Sequence, residues 1–125
     1  MRAVVVDDSS AMRAYLKMIL TKAGFEVAGA RDGREGLQLL HSGPAPDLVL
    51  LDWNMPEMNG FQMLCAMRSD ASLRDTQVMM VTTETELAEM SRALEAGANE
   101  YVMKPFTPDV ILDKLQILGL VPQTL

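Results

Sequence analysis

The chain has 125 residues, 49% of them hydrophobic and 22% charged, the size and composition of one ordinary globular domain, which excludes a disordered chain. Its formal net charge of -6 argues against nucleic acid or an anionic membrane as the main partner, and its single cysteine, Cys65, excludes an intramolecular disulfide. No apolar run has the length of a membrane span, and Ala3–Val6 is too short for a secretory signal before Asp7 interrupts it, so a cytoplasmic location is expected.

Ala3–Val6 is a run of small and β-branched residues without alternation, the pattern of a strand buried on both faces. Ser9 or Ser10 can cap a helix carried by Met12, Tyr15, Leu16, Ile19 and Leu20 and closed by Gly24. Phe25–Ala28 predicts a second, weaker strand. Asp32-Gly33 predicts a turn and cap for a short helix with Leu37, Leu39 and Leu40, ending at Ser42-Gly43. After a loop with Pro44 and Pro46, Leu48–Leu51 is the clearest strand and runs straight into Asp52. Asn59, with Gln62 three residues on, predicts a capping box for a helix with Met63, Leu64 and Met67 on its apolar face. Val78–Val81 predicts a fourth strand ending at Thr82-Thr83, and Leu87, Met90, Leu94 and Gly97 a fourth helix. Tyr101–Met103 predicts a fifth strand ending at Lys104-Pro105. Thr107 is a good N-cap, Pro108 suits the first helical position, and Val110, Ile111, Leu115 and Leu118 form the last helix. The eleven methionines suit either adaptable core filling or an adaptable binding face.

Five βα units in strict alternation imply an α/β fold: a five-stranded parallel sheet, doubly wound with helices on both faces. Ligands of such sheets bind at the carboxyl ends of the strands. Asp7, Asp8, Asp52, Thr82, Thr83 and Lys104 all fall at that edge. Asp7, Asp8 and Asp52 would converge within a few ångströms, and three carboxylates that close need a counter-charge. A hard divalent cation with oxygen ligands, Mg²⁺ above all, relieves the repulsion; a bland alternative is that one of the two leading acids caps the first helix. Lys104 can swing over the acids, where an ammonium is suited to holding a phosphoryl oxygen. The Lys104-Pro105 bond is a possible cis peptide. A hydroxyl at Thr82 can bond the backbone or face Asp52, and local sequence leaves open whether Thr82 or Thr83 points inward. A carboxylate nucleophile, a Mg²⁺ and a lysine are what an aspartyl-phosphate requires.

These residues carry a resemblance to the response-regulator receiver family across the whole chain: Val5-Val6-Asp7-Asp8-Ser9, the stretch from Asp52 to Gly60, Val81-Thr82-Thr83-Glu84, and the stretch from Tyr101 to Thr107. Each is weak alone; all four in order are specific. Asp52-Trp53-Asn54-Met55-Pro56 is most similar to the single-domain chemotaxis regulators. The resemblance implies a flavodoxin-like receiver fold spanning 1–125 as one domain, with Asp52 as phosphoacceptor. It implies that Asp8 ligates Mg²⁺ directly, Asp7 mainly through water, and Asn54 through its backbone carbonyl. Thr82 and Tyr101 would be a switch pair, Lys104 would hold a phosphoryl oxygen, and Glu84 with Asn54 would tune hydrolysis toward a short-lived phosphate. Two positions depart from the family pattern. Thr83 stands where a smaller residue is usual and would crowd donor access, and Asn59-Gly60 stands for Asp-Gly, a neutral change in a cap.

The implied partners are a sensor histidine kinase and a downstream target, with the flagellar motor switch as one target class. The target would meet the face of the fourth helix, fifth strand and fifth helix: Leu87, Met90, Leu94, Tyr101, Met103, Lys114 and Ile117. Several of these are equally suited to the core, because a helix must bury one face, and this face is more apolar and less basic than the family's motor-binding surface. The expected function is a monomeric, Mg²⁺-dependent switch in chemotaxis that catalyses only its own phosphorylation and dephosphorylation. A phosphorelay intermediate, an aspartyl-nucleophile phosphatase, a flavin-binding module and a degenerate docking receiver are the alternatives. The phosphatase lacks its second acid, since Asn54 follows Asp52 by two residues, and Asp7-Asp8 would repel a flavin phosphate.

Overall fold

The computed structural model describes residues 1–83 and 88–120. Strands β1 (Arg2–Val6), β2 (Glu26–Ala30), β3 (Leu48–Asp52), β4 (Gln77–Thr82) and β5 (Glu100–Met103) alternate with helices α1 (Ser10–Lys22), α2 (Gly33–His41), α3 (Gly60–Arg68), α4 (Met90–Glu95) and α5 (Pro108–Ile117). All pairings are parallel, in the order β2-β1-β3-β4-β5. This is the doubly wound α/β sheet expected from the alternation. The order reverses direction at β1, so β1 and β3 flank the point where a crevice opens.

The sheet divides the core in two. Val4, Val6, Val49, Leu51, Val78 and Met80 face α2, α3 and α4 through Leu40, Met63, Leu64, Met67, Met90 and Ala93. Ala3, Val5, Leu48, Leu50, Met79, Val81 and Val102 face α1 and α5 through Leu16, Ile19, Leu20, Ile111 and Leu115. Successive side chains of a strand point to opposite faces, so continuous apolar runs are what a sheet covered on both sides demands. Five of the methionines, Met63, Met67, Met79, Met80 and Met90, are buried and fill the core.

Local signals set most element ends. Ser9 caps α1 by accepting the Met12 N–H, Asp32 caps α2 through the Glu35 N–H, and Asn59 and Gln62 form the full capping box of α3. Three expectations shift. The second strand is Glu26–Ala30 rather than Phe25–Ala28, because the Phe25 N–H still bonds the Leu20 carbonyl at the end of α1. Thr107 has the extended backbone of a cap, but its side chain makes no capping bond, and the entry to α5 rests on Pro108. Val110 and Leu94, expected on apolar faces, are 36% and 43% exposed, since α5 turns Ile111 and Leu115, and α4 turns Met90 and Ala93, toward the sheet.

At the opposite edge from the acids, Arg68 ties the base of the sheet together. Its guanidinium donates to the carbonyls of Gly97 (3.0 Å), Leu73 (2.9 Å) and Thr76 (2.8 Å) and to Asn99 Oδ1 (3.0 Å). Asn99 Oδ1 in turn accepts the Val78 N–H at the start of β4. Burial pushes the guanidinium pKa down, yet a guanidinium remains charged at any ordinary pH. Arg68→Leu is expected to cost about 3 kcal/mol in urea unfolding, since it strands several partly buried carbonyls at once. A loss under about 1 kcal/mol would show that water replaces the guanidinium freely.

Candidate functional site at the carboxyl edge

The site grows out of strand register. Val6 of β1 pairs with Leu51 of β3, so the next residues, Asp7 and Asp52, lie side by side where the strands end. Both are buried, at 1% and 5% exposure, while Asp8 lies at the surface. Each of the three carboxylates offers an oxygen within 4.8 Å of the others. Asp7 is held on several sides: its N–H bonds the Ala30 carbonyl at 3.1 Å, and its own carbonyl accepts the Arg13 guanidinium at 2.7 Å. Its Oδ1 accepts the Ser9 N–H at 2.9 Å. The first helix is therefore capped by Ser9, which leaves the two leading acids free of that duty.

Lys104 follows β5, and its N–H bonds the Thr82 carbonyl at 2.7 Å, which carries the chain over the acidic pair. Its Nζ stands 3.4 Å from Asp7 Oδ2 and 3.3 Å from Asp52 Oδ1. These separations exceed those of a tight charge-assisted hydrogen bond, so the ammonium straddles the two carboxylates rather than closing on one. The Lys104-Pro105 peptide is cis.

One ammonium does not neutralise three carboxylates. Burial, and next the neighbouring Asp7 charge, push the Asp52 carboxyl up to about 6, with Lys104 offsetting only part. Burial alone would lower the Lys104 pKa, but the charges of Asp52 and Asp7 outweigh it and hold the ammonium above its ordinary value. Hard carboxylate oxygens crowded at this spacing, with surplus negative charge, fit a divalent cation such as Mg²⁺. Asn54 lies two residues beyond Asp52, exposed in the β3–α3 loop. A cleft of about 500 Å³ lined by Asp8, Arg31, Asp32, Pro56 and Glu57 opens beside the exposed member of the acidic group, Asp8.

Thr82 is fully buried at the end of β4, one residue past the Val81 that pairs with Asp52, whereas Thr83 is half-buried. Of the two, Thr82 is the inward residue, and its hydroxyl donates to the Thr83 carbonyl at 3.2 Å. Tyr101 is half-buried against the α2–α4 side of the core. Glu84 and Leu87 lie outside the described residues. Of the remaining expected partner surface, Leu94, Met103 and Ile117 are exposed, the last at 68%, and Tyr101 and Lys114 are half-buried. Met90 is a correction: α4 points it into the core at 3% exposure, so it is not part of any surface.

Two contributors escaped sequence reasoning. Arg13 clamps the Asp7 carbonyl from α1, and no motif in the sequence marks that contact. Gly60 does more than follow the cap residue Asn59. A Cβ there would overlap the Asp52 carbonyl oxygen and crowd the Trp53 Cα, and the Gly60 N–H bonds the Trp53 carbonyl at 2.9 Å. Only glycine lets α3 start this close to the strand end that carries Asp52. The Asn-Gly pair was the available signal, but its reason is a tertiary approach.

Comparison with known proteins agrees with this geometry. The family model described as the response regulator receiver domain matches residues 3–116. The chain is 42% identical over 119 residues to the chemotaxis protein CheY1 of Helicobacter pylori, covering 94% of this chain and 96% of that one. It is 44% identical over 121 residues to a chemotaxis protein CheY homolog of Campylobacter jejuni, covering 95% and 93%. Among solved structures, the chemotaxis response regulator CheY4 of Vibrio cholerae superposes with a TM-score of 0.86 at 35% identity, over 94% of this chain and 97% of that one.

Proposed function

Since this chain belongs to the response regulator receiver domain family, we propose that it is a single-domain, phosphorylation-operated switch that acts in chemotaxis. The observation that carries the reading is the buried Asp52 carboxylate, flanked by Asp7 and Asp8 and reached by Lys104 at 3.3 Å. A sensor histidine kinase supplies the phosphoryl group. An Asp52 carboxylate oxygen attacks phosphorus, a P–O bond forms as the P–N bond to the kinase imidazole breaks, and the imidazole leaves with its electron pair. Lys104 then turns from the carboxylates to a phosphoryl oxygen. Asp7, Asp8 and Asp52 with the Asn54 carbonyl would hold Mg²⁺, which would supply positive charge for the phosphoryl oxygens and the crowded carboxylates. Water later cleaves the acyl phosphate, with Asn54 and Glu84 setting the rate.

Thr82 and Tyr101 transmit the state. The Thr82 hydroxyl exchanges the Thr83 carbonyl for a phosphoryl oxygen, and the Tyr101 ring moves inward behind it. The output is reversible binding of a target protein, the flagellar motor switch being one class, by the face that exposes Leu94, Met103 and Ile117 beside Tyr101 and Lys114. Among the described residues no helix is long and apolar enough to cross a membrane.

The test is labelling by a small phosphodonor such as phosphoramidate in the presence of Mg²⁺. Wild type is expected to take up one phosphoryl group, seen as a mass increase, and Asp52→Asn none. Equal labelling of the two would remove Asp52 from its role.

A further inference from the structure

Tyr101 is held by a pair of charges that its proposed role does not require. Glu100 precedes it in β5, the edge strand of the sheet, and Lys114 reaches it from α5. One oxygen of Glu100 accepts both the Tyr101 backbone N–H at 3.0 Å and the Lys114 ammonium at 3.0 Å. That bond parks Lys114 Nζ 5.3 Å from the centroid of the Tyr101 ring, within cation–π range. The paired side chains are only 27% and 17% exposed, so water screens them less than an ordinary surface pair.

We infer that Glu100 and Lys114 form a clamp that holds the Tyr101 ring at the open edge of β5 and so sets how readily the domain switches. The inference rests on the reading of Tyr101 as the switch residue. On that reading, a ring that turns inward behind Thr82 would draw its face away from the ammonium, so the contact would favour the position the ring holds here. A cation–π contact at a partly exposed site biases a two-position equilibrium by about two- to fivefold. Linkage is reciprocal, so the same factor enters the affinity for whatever binds the switched state at Asp52. Glu100 acts through Lys114: its carboxylate fixes where the ammonium sits.

Beryllofluoride, a phosphoryl mimic, titrated with Mg²⁺ and followed through the single tryptophan, Trp53, reads this factor. Lys114→Met and Glu100→Gln are each expected to tighten binding about two- to fivefold, and the double variant no further, because both act on one contact. In a Tyr101→Leu background, Lys114→Met is expected to have no effect. An equal effect in that background would mean that the ammonium acts without the ring, and the clamp falls. If Tyr101→Leu alters affinity while Lys114→Met and Glu100→Gln do not, the clamp falls and the switch reading stands. If none of the three alters it, both fall. The ring-proton resonances of Tyr101, one of two tyrosines, are expected to shift in Lys114→Met without the mimic; unchanged resonances would also overturn the clamp.

Discussion

Asp52→Asn is expected to make the protein more stable at neutral pH in the presence of a chelator, by on the order of 3 kcal/mol. The folded protein raises the Asp52 carboxyl from 3.8 to about 6, and each unit is worth about 1.4 kcal/mol. A raised acid binds its proton more tightly in the native state than in the unfolded one. The penalty from Asp52 is therefore absent below 3.8, grows as pH rises through 3.8 to about 6, and is complete above that window. Asparagine matches the protonated side chain in shape and never ionises. Urea unfolding of both proteins from pH 4 to 7.5 should show curves that nearly coincide at the acid end and separate as pH rises. A gap that stays flat across the range would mean that Asp52 is not held in a crowded, desolvated pocket.

Lys104→Met is expected to act in the opposite direction through the same network. The ammonium is the group within ion-pair distance of both buried carboxylates, at 3.4 Å and 3.3 Å. Removing one partner of a buried pair strands the other, at a cost of about 3–5 kcal/mol. Here the stranded charges can escape by taking up protons, and because the ammonium lowers the Asp52 pKa, its loss moves that uptake above about 6, so the deficit should shrink as pH falls from alkaline values toward about 6. Lys104→Met combined with Asp52→Asn should recover part of the loss at pH 7.5, because one of the two buried carboxylates beside the lysine no longer carries a charge while Asp7 still does. Additive losses in the double variant would show that Lys104 stabilises the fold through its aliphatic stem rather than its charge.

The parts of the site that lie at strand ends were legible before the fold was. Asp7, Asp8, Asp52 and Lys104 each follow an apolar run, and a parallel sheet delivers such residues to one edge whatever the details of its packing. What was not legible depends on contacts between distant segments. Arg13 acts on a carbonyl six residues away around a turn, and Gly60 is required by the closeness of α3 to β3. The Lys114 position over Tyr101 depends on how α5 rolls against β5. The same limit explains the misplaced apolar residues. Hydrophobic periodicity locates a helix, but a rotation of one position decides whether Ala93 or Leu94 meets the sheet. Phe25 shows the boundary version of the problem: it is buried like a strand residue, yet it serves to finish α1.

The two halves of the core are not filled with the same material. The half beneath α1 and α5 contains one buried methionine, Met79, among branched side chains and Phe25, with Met12 packed against it. The half beneath α2, α3 and α4 contains four, Met63, Met67, Met80 and Met90, with Met55 and Met58 packed against them. Unbranched thioethers re-pack with little loss, whereas branched chains hold one shape. The sheet therefore has a stiff side, which holds the anchor formed by α1, α5 and the residues that grip Asp7, and a compliant side lying under α4 and the Tyr101 ring. A rearrangement under α4 and the Tyr101 ring would therefore meet the adaptable layer, while the branched layer beneath Asp7 and Asp52 would resist it.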